Sequence, residues 1–328
     1  MKYATVGSVA VALTSLALLL AQAGCKDDSA GDDDTTPPTV TPTPSPPPES
    51  SPTPTPSPTP APEFGGEFRV TSFLIAEADT GFDLDGDGDQ DNVLPTVFET
   101  LYDALEEAIY KAFTAASSDD PEGKTEAAMQ RLEDYGLVFD ADTINANTTA
   151  AIDSAQLNYL LELSGAPTAA TLAWYDGWKN GQGDFVASDS LGSQDGTVDG
   201  AGQGTVGPGT FLYQPVASSG TPVLSLSVIA AQSSFTLIPG AQGDPNAGLQ
   251  NGLLGGAIPW SEFEAKLRDA LELLETLGVP IDADSVISEI VARLDSAGLL
   301  DVTVDGEEAF SCAFVYVAPF TDFAGLTE

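Results

Sequence analysis

The chain has 328 residues, with 50 Asp and Glu against 10 Lys and Arg, a formal net charge of −40, and no histidine. Binding to a phosphate backbone needs clustered basic residues, so nucleic acid is excluded as a partner. The lack of histidine excludes Ser-His-Asp and Cys-His nucleophile systems and imidazole zinc sites, leaving carboxylates, Tyr, Lys and hard metal ions as the available chemistry.

The N-terminus reads as an export signal. Met1-Lys2 supplies one positive charge, an apolar run follows from Ala4 to Ala21, and Gln22-Ala23-Gly24-Cys25 closes it. The small-small-Cys ending resembles a lipobox, in which Cys25 is acylated and becomes the new N-terminus. Ala21-Gln22-Ala23 also fits ordinary cleavage, and the apolar run is barely long enough for an uncleaved spanning helix. Residues 26–66 form a linker, Asp-rich at first and then built of Thr-Pro and Ser-Pro repeats from Pro37 to Pro62. Proline-rich chain favours the extended polyproline form at ~3.1 Å per residue, so this run spans about 80 Å. A stalk of that kind needs an anchor beneath it. The predicted division is therefore 1–25 signal peptide with lipidated Cys25, 26–66 linker, and 67–328 a single folded domain, which carries 43 acidic against eight basic residues.

The folded part opens with Phe68, Val70, Ser72, Leu74 and Ala76 alternating with Arg69, Thr71, Phe73, Ile75 and Glu77, the pattern of a strand buried on both faces. An acidic loop (Asp83–Asp91) leads into a helix whose stripe is Val93, Val97, Leu101, Leu105, Ile109 and Phe113, with Glu99, Asp103, Glu106 and Glu107 opposite. A weaker helix covers Lys124 to Tyr135 and stops at Gly136. From about Thr149 to Phe235 the chain reads as β, with strands at Gln156–Leu163, Thr171–Trp178, Thr210–Val216, Val223–Ala231 and Ser234–Ile238. The Gly-, Asp- and Ser-rich stretch from Gly177 to Gly209 reads as hairpin loops, since it has neither a GxxxxGK[ST] run nor a strand-GxGxxG-helix unit. Helix then returns. Ser261-Glu262-Phe263-Glu264 reads as a capping box, followed by the stripe Phe263, Leu267, Leu271, Leu274 and Leu277, with Gly278 as the left-handed stop. A last helix starts near Asp284, buries Val286, Ile287, Ile290, Val291 and Leu294, and ends before Gly298. A second acidic loop (Asp301–Glu308) and an apolar strand around Phe310–Val317, holding Cys312 as a small hydrophobe, complete the chain. The fold class is α+β: a central antiparallel β-sheet or sandwich with amphipathic helices packed near both ends of the domain.

One motif carries chemistry. In Asp83-Leu-Asp85-Gly-Asp87-Gly88-Asp89-Gln-Asp91-Asn92 the acids fall at positions 1, 3, 5, 7 and 9 with glycine at 6, the spacing by which a calcium loop gathers hard oxygen ligands around a sharp turn. Position 12, where an EF-hand places a bidentate Glu, is Leu94, so the loop resembles the compact DxDxDGxxD calcium loops of extracellular proteins. The expected metal ligands are Asp83, Asp85, Asp87, Asp89 and Asp91, and the expected cofactor is a structural Ca2+. Asp301, Thr303, Asp305 and Gly306 repeat the spacing in degenerate form, either a second metal site or an acidic β-turn.

Signal, stalk, strand, DLDGDGxxDN loop and helix together resemble a group of uncharacterised predicted lipoproteins of myxobacterial type. The similarity extends to Gly252–Trp260 and to the closing strand around Gly306–Phe314. The resemblance implies an address and an architecture, with no activity attached. The expectation is a lipid-anchored cell-envelope protein at the outer membrane, on its periplasmic or surface face, bearing a calcium-stabilised, non-catalytic binding or structural domain. Its expected partners are the membrane, through the anchor, and a glycan or protein ligand. Trp174, Tyr175 and Trp178 offer a sugar-stacking platform or ordinary strand packing. The rival readings are a glycan-active hydrolase using paired carboxylates, which needs no histidine, and a periplasmic envelope-assembly factor.

Overall fold

The computed structural model describes residues 65–134, 137–216 and 225–325; the export signal, Cys25, nearly all of the linker and the Tyr135-Gly136 helix stop lie outside them. In chain order the elements are β1 (Gly66–Arg69), β2 (Ser72–Ile75), α1 (Leu94–Ala115), α2 (Pro121–Asp134), α3 (Ala141–Asp153), β3 (Tyr159–Ala166), β4 (Ala169–Lys179), β5 (Phe185–Val198) and β6 (Gln203–Tyr213). They continue with β7 (Leu226–Ile238), β8 (Gly248–Pro259), α4 (Trp260–Thr276), α5 (Ala283–Ala297), β9 (Val302–Val304), β10 (Glu307–Ala318) and β11 (Phe323–Ala324). The class is α+β. Strands β3 to β8 form an antiparallel meander, β10 adds to β8, and the short β11 runs parallel to β5.

The first strand closes this sheet on itself. Phe68 pairs with Leu161 of β3 on one side and bridges Phe320, just past β10, on the other. Successive backbone donors point opposite ways, Arg69 N to Pro319 O at 3.1 Å and Val70 N to Tyr159 O at 2.9 Å. Beyond Thr71 the chain continues as β2, paired with β10 so that Phe73 faces Tyr316. With β1 and β2 taken as one strand, eight antiparallel strands surround a lumen. The alternation in the sequence suggests burial on both faces; the structure has a change of parity at Val70-Thr71. Phe68 and Val70 are buried before it, Phe73 and Ile75 after it. A one-residue slip turns every later side chain to the opposite face, so apolar residues of both parities point inward.

Aromatic rings fill the lumen. Phe73, Tyr159, Trp174, Phe211, Tyr213, Phe314 and Tyr316 form a connected set with centroids 4.5–6.3 Å apart, and Phe73 alone meets five of the others. Rings this large need space, and glycine on a neighbouring strand supplies it. A Cβ at Gly252 would stand 2.5 Å from the Tyr316 ring. Cys312 lines the same core, where burial pushes its thiol well above the ordinary range, consistent with a small hydrophobe.

Four elements depart from the sequence reading. The stretch Gly177–Gly209, expected as loops, holds the 14-residue β5 and the start of β6. Gly, Ser and Asp have poor strand propensity, and a register shift at Asp176/Gly177 hides the period, but in a closed sheet neighbours on both sides provide the pairing. Of the two strands expected at Val223–Ala231 and Ser234–Ile238, the residues from Leu226 onward form one strand, β7, while Val223 and Leu224 lie outside the described residues. The β region begins later than Thr149 because residues Ala141–Asp153 form α3, capped by Asp140 accepting from Thr143 N at 2.8 Å and burying Ile144, Thr148, Ala151 and Ile152. The capping box is absent. α4 starts at Trp260 behind Pro259, the Ser261 hydroxyl donates to Glu307, and Glu262 accepts from Ser227 N at 3.0 Å. Gly278 and Gly298 do end their helices, with φ of 90° and 66°.

The five helices among the described residues lie in two connections, β2 to β3 and β8 to β9, and alternation around the barrel places both at the same mouth. Phe263 of α4 meets Phe310, an inward residue of β10, at 5.6 Å, so the lumen and the inner helix faces share one apolar core. Outside that core, Lys111 and Arg293 donate to Glu107 at 2.8 and 2.5 Å, linking α1 to α5 and lowering the Glu107 carboxyl to about 2. Being exposed, these pairs add little stability.

Phe73 is where closure and core packing coincide. Phe73→Ala is expected to destabilise the domain by about 3–5 kcal/mol, the usual cost of emptying a fully packed aromatic site. The check is the midpoint of denaturant unfolding; a loss under about 1 kcal/mol would contradict a packed lumen.

Candidate metal centre

The aspartate loop sits between β2 and α1, at the helical mouth. Asp83, Asp85 and Asp91 each offer a carboxylate oxygen, and those oxygens lie within 4.8 Å of one another. Two oxygens on one calcium ion, at 2.3–2.6 Å each, are at most about 5 Å apart, so the set fits a single hard cation. The donors are all oxygen, which suits calcium rather than a softer metal. Asp87 and Asp89 are exposed and stand outside the group; Asp87 accepts from Asp89 N at 2.8 Å.

Backbone donors hold the carboxylates inward. Asp83 accepts from Gly86 N at 2.6 Å and from Gly88 N at 3.1 Å, and Asp85 accepts from Asp87 N at 3.0 Å. Gly86 and Gly88 have φ of 86° and 98° with open space around them, so glycine is needed there for the turn and not for room. Asp91 accepts from Leu84 N at 2.6 Å, and its own N–H donates to Phe82 O at 3.0 Å, closing the neck of the loop.

The neck is fastened to the barrel wall by residues with no place in a metal motif. Phe82 fits against Gly255 of β8, where a Cβ would stand 2.7 Å from its ring. Asn92 donates to Ala76 O at 3.1 Å and Glu77 O at 2.9 Å, and accepts from Ala313 N at 3.1 Å. Asp301 accepts from Ser311 N at 2.8 Å and from the Ser311 hydroxyl at 2.6 Å, and that same hydroxyl accepts from Val93 N at 3.1 Å. Between its pairings with β9 and β2, β10 therefore has side chains for a neighbour: Asp301 and Asn92 take the N–H groups of Ser311 and Ala313. Asn92 was legible as a polar residue ending an acidic run; its role as a substitute strand was not.

The second acidic loop is a tight hairpin. Glu307 pairs with Val304, leaving Asp305 and Gly306 as a two-residue turn with φ of 54° and 85°, the mirror-image turn that hairpins favour. Thr303 sits in β9 opposite Glu308, and the Asp301 carboxylate is engaged by Ser311. Among the described residues these positions join no group of three or more acidic side chains. Nor do the three aromatics of β4 form a platform. Trp174 is in the lumen, Tyr175 is on the outer wall beside Phe323, and Trp178 alone is exposed, at 52%. An open cleft of about 810 Å³ lies among α1, α2 and α5 and is lined by Asp103, Glu106, Glu107, Glu122 and Glu126 with Arg293.

Electrostatics couples the loop to its fastening. Partial burial raises the Asp91 carboxyl above the ordinary range, the Leu84 N–H opposes this, and the charges of Asp85 and Asp87 add to it. Burial likewise raises Asp301; hydrogen bonds from Ser311 oppose it, and the Asp91 charge adds to it.

Fold and site together define a closed antiparallel barrel with a helical cap and an oxygen-rich aspartate loop at the capped mouth. Comparison with family models, curated proteins and solved structures returns no match. Among the described residues no helix is long and apolar enough to cross a membrane.

The raised carboxyls set a pH prediction. A group whose folded value is raised stabilises the fold below its unfolded value and loses that contribution as pH rises through the folded one. On this account metal-free protein gains stability from Asp91 and Asp301 as pH is lowered from about 7 towards the carboxylate range. A calcium ion held by Asp91 would need that carboxyl ionised, so the rise in melting temperature that such an ion would give is expected to shrink over the same interval. Melting scans with calcium and with chelator, from about pH 7 to about pH 5, test this. A calcium effect constant across that range would contradict it.

Proposed function

We propose that this chain is an envelope lipoprotein, anchored through acylated Cys25, whose barrel is a calcium-stabilised binding or structural module and not a catalyst. The observation that carries the reading is the convergence of Asp83, Asp85 and Asp91 on a loop fastened at its neck to β8 and β10. A divalent ion there would neutralise carboxylates that otherwise repel, and would lock the β2–α1 connection over the helical mouth. Gly66, where the barrel begins, lies at the mouth opposite the helices, beside the end of β3. The lumen is filled by aromatic rings, which favours a partner on the outer surface, a glycan or protein of the envelope, over a small molecule carried inside. The charge of the folded part, 43 acids against eight bases, favours partners that are neutral or basic.

Extracellular calcium modules typically bind at about 10⁻⁴–10⁻³ M. Several millimolar calcium would then add roughly 1–2 kcal/mol. Melting temperature is expected to rise by a few degrees over the chelated protein, and Asp85→Asn is expected to lose most of that rise. Isothermal titration with Ca2+ measures the binding directly; no heat at millimolar calcium would remove the metal from this reading.

The anchor is tested separately. Cys25→Ser is expected to move the protein from the membrane fraction to the soluble one. Unchanged fractionation would overturn acylation at Cys25 and leave the barrel and its loop untouched.

A further inference from the structure

The lumen is not wholly apolar. Gln194 of β5, Ser233 of β7 and Tyr316 of β10 meet beside Trp174, all 0–2% exposed. The Gln194 side-chain oxygen accepts from the Ser233 hydroxyl at 2.9 Å and from the Trp174 indole N–H at 3.3 Å. An indole N–H can only donate, so this pair fixes which end of the amide faces Trp174. The amide nitrogen is thereby turned away with two hydrogens to place, and Gln194 Nε2 has no hydrogen-bond partner among the described residues. The Tyr316 hydroxyl is in the same condition. Its ring is 5.0 Å from that of Trp174, and its hydroxyl is close enough to Ser233 to interact with it without a hydrogen bond of full geometry, so the two under-satisfied groups belong to one cluster.

Leaving buried donors without partners costs more than the bonds themselves return, and native interiors resolve such clusters with a bound molecule having two to four polar contacts. We infer that the barrel encloses a single structural water, accepting from Gln194 Nε2 and bonded to the Tyr316 hydroxyl. The surrounding chemistry selects water over an anion. The site is donor-rich, but the folded part carries a net charge of −35, and burying a further negative charge within it would be opposed by that field. Water also accounts for a hydroxyl on Tyr316 where Phe would fill the same space beside Gly252.

The sign of one substitution separates a hydrated cluster from a bare one. Tyr316→Phe removes a single oxygen. If a water is bound there, the variant strands it and the melting temperature of the full chain falls by about 2–4 °C; if the hydroxyl is bare, its removal raises the melting temperature. Deuteron magnetic relaxation dispersion on the same proteins counts long-lived internal waters, and the variant is expected to show one fewer than the parent. A higher melting point, or an equal count of long-lived waters, overturns the inference. Gln194→Met, which keeps the length of the side chain and deletes the amide donors, carries the same two readouts should the tyrosine variant fail to fold.

Discussion

An open sheet leaves a row of unpaired N–H and C=O groups at each edge, and everything else in this molecule depends on how the first strand removes both rows at once. Arg69 and Val70, adjacent in sequence, send their N–H groups to opposite neighbours, Pro319 and Tyr159. That is possible only if the same strand lies between the beginning and the end of the meander. Once the sheet is closed, inward residues from β2, β3, β4, β6 and β10 converge, and seven aromatic rings pack against one another instead of against a second layer. The parity change at Val70-Thr71 is part of the same device, because it keeps Phe73 facing inward after the strand has changed partners.

Closure is incomplete towards the helical mouth, and the chain repairs it with side chains. β10 runs beyond β2 at the helical mouth, and its N–H groups at Ser311 and Ala313 meet Asp301 and Asn92 in place of another strand. Asn145 of α3 does the same for β2, accepting from Ile75 N at 2.7 Å and donating to Ile75 O at 3.3 Å. These amides and carboxylates are the points at which helices and loops are fixed to the barrel. The position of the aspartate loop therefore follows from the sheet: its exit residue, Asn92, is also a piece of the edge of β10.

The sequence made some of this legible and hid the rest for definite reasons. The apolar stripes of α1, α4 and α5 repeat at helical spacing and bury most of the residues that spacing indicates; Val93, Phe113 and Val291 are half-buried, and Leu277, just past the end of α4, is exposed. Strands β3 and β4 were readable from their alternating residues. β5 was not, because its pairing comes from neighbours and its own composition favours turns; Gly192 and Gly196 occupy points where a Cβ would collide with β6 backbone. α3 was hidden by its Asn and Thr residues, although Asp140 and the 144-148-151-152 spacing are a cap and a stripe. In the metal loop, local spacing identified the acids but could not separate the three that converge from the two that face solvent. Nor could it foresee Phe82 seated on Gly255, since the ring and the glycine that makes room for it are 173 positions apart.

That last contact explains why the segment Gly252–Trp260 is so rich in glycine. Gly252 accommodates the Tyr316 ring on the inner face, Gly255 accommodates Phe82 on the outer face, and a Cβ at Gly256 would stand 2.6 Å from a Val228 methyl. A strand of this composition has little intrinsic preference for its conformation and loses backbone entropy on folding. Its stability comes from pairing with β7 on one side and β10 on the other, which the closed sheet guarantees. The barrel can thus accept a weak strand at β8 because it has no free edge there, and the weak strand is what lets a ring from the lumen and a ring from the aspartate loop press on the same wall from opposite sides.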